Sequence, residues 1–247
     1  QLVAPQFWAW RPGRGERLAG SVDRVLCLFR WEVEALRRHG ADAVWVGHPA
    51  LERAQGAVLA QRAPGPLRLA LLPGSRSAER ARCLPAFLEV ARAVAERGDV
   101  EVVLSAAAHT PRIDGVRIDA RPGIEVLAQA DLALVAAGTA TLEAALLGVP
   151  FVCAAALHPV SAAVARRLLS VDHVTLPNIV LGREVIAEVV QDLSPAALAA
   201  PIRALLADLD GARSHARAVA EELRDRLGPA GFAGRAADAV LELGDRP

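Results

Sequence analysis

Between Leu132 and Ala165 the only Asp, Glu, Lys or Arg side chain is Glu143. An apolar run of that length could cross a bilayer as one helix. Here Gly138, Gly148, Pro150 and Pro159 break it at intervals that suit short strands and a single helix. Strands with helices on both faces are continuously apolar, because neither face meets water. The run therefore predicts central strands of a parallel sheet rather than a membrane span.

The rest of the chain alternates in the same way. Candidate strands are Leu2 to Ala4, Val25 to Leu28, Ala43 to Val46, Leu67 to Leu72, Val100 to Leu104, Leu132 to Val135, Phe151 to Cys153 and His173 to Leu176. A helix near Trp31 to Arg38, stopped by Gly40, lies between two of the early ones. Phe87, Val90, Ala91 and Val94 share one helical face, as do Leu198, Ile202, Leu205 and Leu206. Val219, Leu223 and Leu227, then Phe232, Ala236 and Val240, recur every fourth residue, so the chain closes on three helices. Strand and helix in alternation predict an α/β fold with doubly wound parallel sheets.

Ala63-Pro64-Gly65-Pro66 cannot continue a helix or a strand and marks a domain boundary. Residues 1–63 supply three strands, too few for a complete sheet, whereas 67–247 supply enough. With 64–66 as linker, the first domain reads as incomplete and the second as complete. The chain has no methionine, which reads as a processed chain or a piece of a longer one.

Composition limits the function classes. Hydrophobic residues make up 53% of the 247, and 52 residues are alanine, so the core must be closely packed and disorder is excluded. All 28 basic residues are arginine, balanced by 28 acids. A nucleic-acid partner is not expected without a basic excess. Cys27, Cys83 and Cys153 are widely spaced among apolar residues, which suits buried thiols and offers no zinc spacing. Residues 1–30 show no basic stretch leading into an apolar run, so no secretory signal is read there.

Three polar loops follow strand ends, where an open α/β sheet binds its ligands. Pro73-Gly74-Ser75-Arg76 precedes a helix beginning near Ser77. Gly74 permits close backbone approach, the helix start offers free N–H groups, and the Arg76 guanidinium can grip two phosphate oxygens. An ordinary turn with a solvated arginine is the plain alternative. Gly138-Thr139-Ala140-Thr141-Leu142-Glu143 repeats the arrangement, with two hydroxyls at another helix start. Glu143, alone in its apolar surroundings, needs partners: either an arginine across the core or the two hydroxyls of a ribose. Pro177-Asn178, with Gly182-Arg183-Glu184, ends a third strand and either faces the same crevice or forms an Asx turn.

The cluster Phe7-Trp8-Ala9-Trp10-Arg11, with Arg14 and Arg17, makes residues 1–40 net +3 against −3 for the remainder. It reads either as a tryptophan-rich core edge beside a solvated helix or as a contact for an anionic membrane surface. His48, at a strand end in Gly47-His48-Pro49, is structural or faces the cleft. Asp208-Leu209-Asp210 resembles a metal-binding DxD but falls at a helix end and is set aside.

Six strings together resemble the bacterial lipid-A-disaccharide synthases: WAWRPGR at 8–14, VGHP at 46–49, LALLPGSR at 69–76, GTATLEAALLGVP at 138–150, ARRL at 165–168 and LPNIVLGRE at 176–184. They stand in the family's order over nearly the whole chain. The resemblance implies a GT-B glycosyltransferase of two Rossmann-like domains that uses a UDP sugar without a metal or other cofactor. It implies transfer of 2,3-diacylglucosamine from UDP to 2,3-diacylglucosamine 1-phosphate with inversion, at the cytoplasmic face of the bacterial inner membrane. On this chain it puts Arg76 at the diphosphate, Gly138 and Thr139 at the phosphate end of the nucleotide, Glu143 at the ribose, and Asn178 with Arg183 in the same crevice, with Gly74, Ser75 and Thr141 also among the residues that bind the UDP sugar. Trp8, Trp10, Arg11 and His48 would lie on the acceptor or cleft side.

Departures from the family accompany the match. Ala137 stands where members usually carry serine, Ala155 and Ala156 where a tyrosine and a basic residue are common, and residues 104–124 read as shortened. The family's general base, an aspartate, belongs to a motif preceding the WAWR string, so this chain by itself is expected to be inactive. A GT-B relative acting on another glycolipid, a UDP-sugar epimerase and a non-catalytic UDP-sugar-binding module remain alternatives.

Overall fold

A computed structural model describes residues 1–5, 14–57, 65–96, 100–156 and 173–244. The first unit holds α1 (Arg14–Ala19), β1 (Val25–Cys27), α2 (Arg30–Arg38), β2 (Ala43–Trp45) and α3 (Ala50–Gly56). β1 and β2 pair in parallel, Val25 opposite Ala43. The expected strand at Leu2 to Ala4 reduces to one parallel bridge between Leu2 and Leu26. Val3 there has a positive φ of 66°, which a β-branched residue rarely adopts and which ends the pairing. Trp8, Trp10 and Arg11, Pro64 of the proposed linker, and the ARRL string lie outside the described residues.

The second unit runs β3 (Leu67–Leu72), α4 (Ser77–Ala95), β4 (Val100–Ser105), β5 (Val116–Asp119), α5 (Gly123–Leu127), β6 (Leu132–Ala136), α6 (Thr139–Leu146), β7 (Phe151–Ala155), α7 (Leu176–Leu181), β8 (Ala187–Val190), α8 (Pro195–Ala207), α9 (Leu209–Leu227) and α10 (Phe232–Gly244). Its six strands are all parallel, in the order β5-β4-β3-β6-β7-β8. The apolar run supplies β6, α6 and β7, and β6 is buried along its whole length. Among the described residues no helix is long and apolar enough to cross a membrane.

Alternation along the strands divides the core in two. Ala70, Leu72, Val103, Val135 and Cys153 face the side covered by α5, α6 and α9. Leu69, Leu71, Leu104, Leu134 and Val152 face the side where α4 brings Phe87, Val90 and Val94 and α8 brings Leu198 and Ile202. The first cluster also includes Phe29, Ala50 and Leu51, so the two units share one hydrophobic core.

Two strands escape sequence reading. β5 alternates apolar and charged residues, and β8 is an edge strand with exposed ends. Edge strands carry little continuous apolar signal. The expected strand at His173 to Leu176 is instead a helix start, because the Thr175 side chain accepts from the Asn178 N–H as an N-cap and Pro177 fits the first turn.

The last helix returns to the first unit. Phe232, Ala236 and Ala239 pack on Leu26 and Val46. Val240, expected on that face, is 55% exposed, and Ala239 takes its place. Arg235 donates to the carbonyls of Val46, Pro229 and Ala230, and its guanidinium lies 4.6 Å from the Trp45 ring centre, while Arg30 lies 4.1 Å from it. Buried Arg24 donates to the Ala239 carbonyl, Glu242 and Asp42.

His48 does not face the cleft. It is 4% exposed, its ring lies 5.4 Å from that of Phe29, and its Nδ1 accepts from the Ala50 N–H at the start of α3. Burial pulls its pKa down to about 4. The folded state thus refuses a proton that the unfolded chain takes up near pH 6.5. Stability is complete above that pH and falls by up to about 3 kcal/mol as pH drops toward 4. Urea titrations across this range are expected to show that slope in the native chain. In His48→Asn, which keeps an acceptor for the Ala50 N–H without titrating, the slope should be shallower.

Candidate functional site

Strand β3 pairs with β4 on one side and β6 on the other, so the chain winds outward from it in both directions. The loops leaving β3 and β6 must diverge to opposite faces, and a crevice opens between them. A cleft of about 860 Å³ lies there. Its wall includes Pro73 to Arg76 from the loop after β3, Ala137 to Ala140 from the loop after β6, and Glu143 one turn into α6.

Backbone geometry explains the glycines. Gly74 has φ of 102°, and a Cβ there would meet Glu79 at 2.9 Å, so a side chain is excluded on both counts. Gly138 has φ 156° and ψ −164°, a region essentially reserved for glycine, with nothing within 4 Å of where a Cβ would stand. α4 starts without a side-chain cap from its N-cap residue Arg76, so its first N–H groups are not claimed by that residue. Ser75, Arg76 and Thr139 are exposed at the cleft. Arg76 is 80% exposed and pairs with Glu79 at 2.6 Å.

The cleft carries charges that motif spacing did not point to. Arg53 enters from α3, Arg80 from the second turn of α4, and Arg121 from the loop after β5. Arg80 donates to the Ser75 carbonyl, which ties α4 to the loop before it. Arg121 makes a forked contact with Asp119 and holds that carboxyl down at about 2. Glu143 is buried, and its Oε1 lies 2.9 Å from Arg53 Nη1. Burial raises its pKa and Arg53 partly counters this. The arginine across the core that sequence reasoning weighed as a structural partner is thus present, and it stands at the cleft itself.

Three expected site residues are placed elsewhere. Thr141 is fully buried and its hydroxyl donates to the Gly138 carbonyl at 2.7 Å, fixing the first turn of α6. Arg183 is half exposed and pairs with Glu222 of α9, away from the cleft. Asn178 is fully buried: its amide donates to the Ile186 carbonyl and Glu188 Oε1 and accepts from the Val185 and Ile186 N–H groups. Glu188 also accepts from the Val174 and Thr175 N–H groups and the Thr175 hydroxyl. Asn178 and Glu188 therefore staple the segment whose Val174, Leu176 and Ile179 line the cleft, and Asn178 acts through that segment.

Asn178→Ala would leave two buried N–H groups and a buried carbonyl without their partner, so a loss on the order of 2 to 4 kcal/mol is expected. Arg183→Ala, removing an exposed ion pair, should change stability by under about 1 kcal/mol. Urea denaturation of the two variants beside the native chain measures both.

Solved structures with this arrangement are glycosyltransferases and UDP-sugar enzymes of GT-B fold. The spinosyn rhamnosyltransferase superposes with TM-score 0.54 at 17% identity, over 94% of this chain and 76% of its own. A protein described as a UDP-N-acetylglucosamine 2-epimerase from Listeria monocytogenes superposes with TM-score 0.62 at 16% identity, over 92% of this chain and 61% of its own. At those identities the likeness shows the fold alone. Sequence relatives are closer. The lipid-A-disaccharide synthase of Syntrophus aciditrophicus is 37% identical over 98% of this chain and 68% of its own length. That of Anaeromyxobacter dehalogenans is 39% identical over 97% of this chain and 67% of its own. The chain thus spans about two thirds of these relatives. The model of the lipid-A-disaccharide synthetase family matches residues 1–229, and the chain belongs to that family of GT-B glycosyltransferases.

Proposed function

We propose that this chain carries the UDP-sugar half of an inverting glycosyltransferase. In this reading 2,3-diacylglucosamine passes from UDP to the 6-hydroxyl of 2,3-diacylglucosamine 1-phosphate, giving the β-1,6 disaccharide of lipid A and UDP. The observation that carries it is the cleft at the strand-order reversal, where arginines and an uncapped helix start stand opposite a buried carboxylate. A diphosphate and a ribose diol match those two chemistries in the order a nucleotide presents them.

Arg76, the Ser75 hydroxyl and the first N–H groups of α4 would hold the diphosphate, with Gly138 and Thr139 closing on it from the loop after β6. As the bond to the sugar breaks, negative charge builds on the departing β-phosphate. A guanidinium that meets this charge more closely than it meets the ground state would lower the barrier. Glu143 would accept from the ribose hydroxyls. Deprotonation of the acceptor hydroxyl requires a general base, and the resemblance supports an aspartate of a motif preceding the WAWR string in that role. Acyl chains on both substrates support work at the cytoplasmic surface of the inner membrane.

Calorimetric titration with UDP and uridine tests the nucleotide placement. Arg76→Ala should weaken UDP about ten- to hundredfold and leave uridine within about twofold, with Arg76→Lys restoring only part. Its stability should move by less than about 0.5 kcal/mol, since the side chain is mostly solvated. Glu143→Gln should weaken UDP and uridine alike, by about tenfold. Equal loss of both ligands in Arg76→Ala, or no loss of either, would remove the diphosphate from this loop.

A further inference from the structure

We infer that Arg53, on a helix of the first unit, is a positioning residue for the nucleotide: by engaging Glu143 Oε1 it holds the carboxylate in place and leaves Oε2 for the ribose diol. The inference rests on the proposed reading of Glu143 as a ribose acceptor. Its geometric basis is the 2.9 Å contact between Arg53 Nη1 and Glu143 Oε1 at the wall of the cleft.

The pair is unequal. Arg53 is 54% exposed while Glu143 is 6% exposed. An exposed arginine costs little to hold in water, and an exposed ion pair contributes little to folding. A buried carboxylate without a cation is another matter, because it must take up a proton or swing toward water. Either change removes the acceptor a ribose would meet. Helix α3 is anchored at several points. Ala50 and Leu51 sit in the shared core, the His48 ring accepts from the Ala50 N–H, and Glu52 accepts from the Gly231 N–H. Its Arg53 therefore reaches Glu143 from a fixed helix, and the nucleotide site draws on a unit whose sheet is separate from the one that forms the crevice.

The same arrangement separates this role from a direct phosphate contact. A group acting through Glu143 should affect recognition of the ribose hydroxyls, whereas a group on the phosphates should not distinguish ribose from deoxyribose.

The test is the ratio of dissociation constants for 2′-deoxy-UDP and UDP, measured by calorimetry on the full 247-residue chain. The native chain should prefer UDP by about tenfold or more, Glu143→Gln should lower that preference to within about threefold of unity, and Arg53→Gln should do the same. Arg53→Lys should recover part of it, and the double variant should lose no more than Glu143→Gln alone. Arg53→Met, which keeps the aliphatic stem, replaces Arg53→Gln if thermal unfolding shows the latter misfolded. A native preference in Arg53→Gln, with the preference lost in Glu143→Gln, overturns the inference and leaves the ribose reading standing. A preference retained in Glu143→Gln overturns both, as does absence of UDP binding. Loss of UDP affinity in Arg53→Gln with the preference intact and uridine unaffected places Arg53 on the phosphates and overturns the positioning role.

Discussion

Everything at the site depends on β3 having two parallel neighbours that the chain reaches in opposite directions. Pairing Leu69 with both Val102 and Leu132 sends one crossover to each face of the sheet. The loops after β3 and β6 then part, and no backbone fills the gap between them. Parallel strands also place every strand end with the same polarity on one edge, so the starts of α4 and α6 gather there. The ligand chemistry is a consequence of strand order before it is a consequence of any side chain.

A second constraint is the union of the two units. Among the described residues β1 and β2 form a sheet of two strands, too small to stand alone. It is secured by apolar burial, with Phe29, Ala50 and Leu51 in the main core, and by buried Arg24 and half-buried Arg235, which donate to carbonyls across the chain. Arg235 illustrates the economy of this joint. One guanidinium serves three carbonyls and covers an indole face where α10 meets the end of β2.

Much of this was legible in the sequence because the signals were local. The apolar run gave β6, α6 and β7; Pro-Gly-Ser-Arg and Gly-Thr-Ala-Thr marked the two loops that line the cleft; Glu143 stood out by its isolation. What escaped was set by distance. Arg53 lies on a seven-residue helix ninety positions from Glu143, and nothing in its surroundings distinguishes it from any solvated arginine. Asn178 stands out in the sequence with its role undecided: an asparagine after proline at an element end looks alike whether it faces a ligand or fastens a loop. Only the location of Glu188, on an edge strand with weak apolar pattern, decides between them. For His48 the structural alternative is the one the fold realises, with its ring beside that of Phe29 and its Nδ1 accepting from the Ala50 N–H.

The return of α10 also sets an order of assembly. Arg24 and the Ala239 carbonyl it serves are separated by 215 residues. On a ribosome, Leu26 and Val46 emerge long before the helix that covers them. Local winding of β3 to β8 can proceed meanwhile, because successive strands and helices find each other over short loops. The first unit must wait with part of its apolar face open, a state in which nascent chains are prone to associate wrongly. The joint between the units therefore cannot close until Phe232 to Gly244 has been made, and a chain cut short before Phe232 would be synthesised with that face still bare.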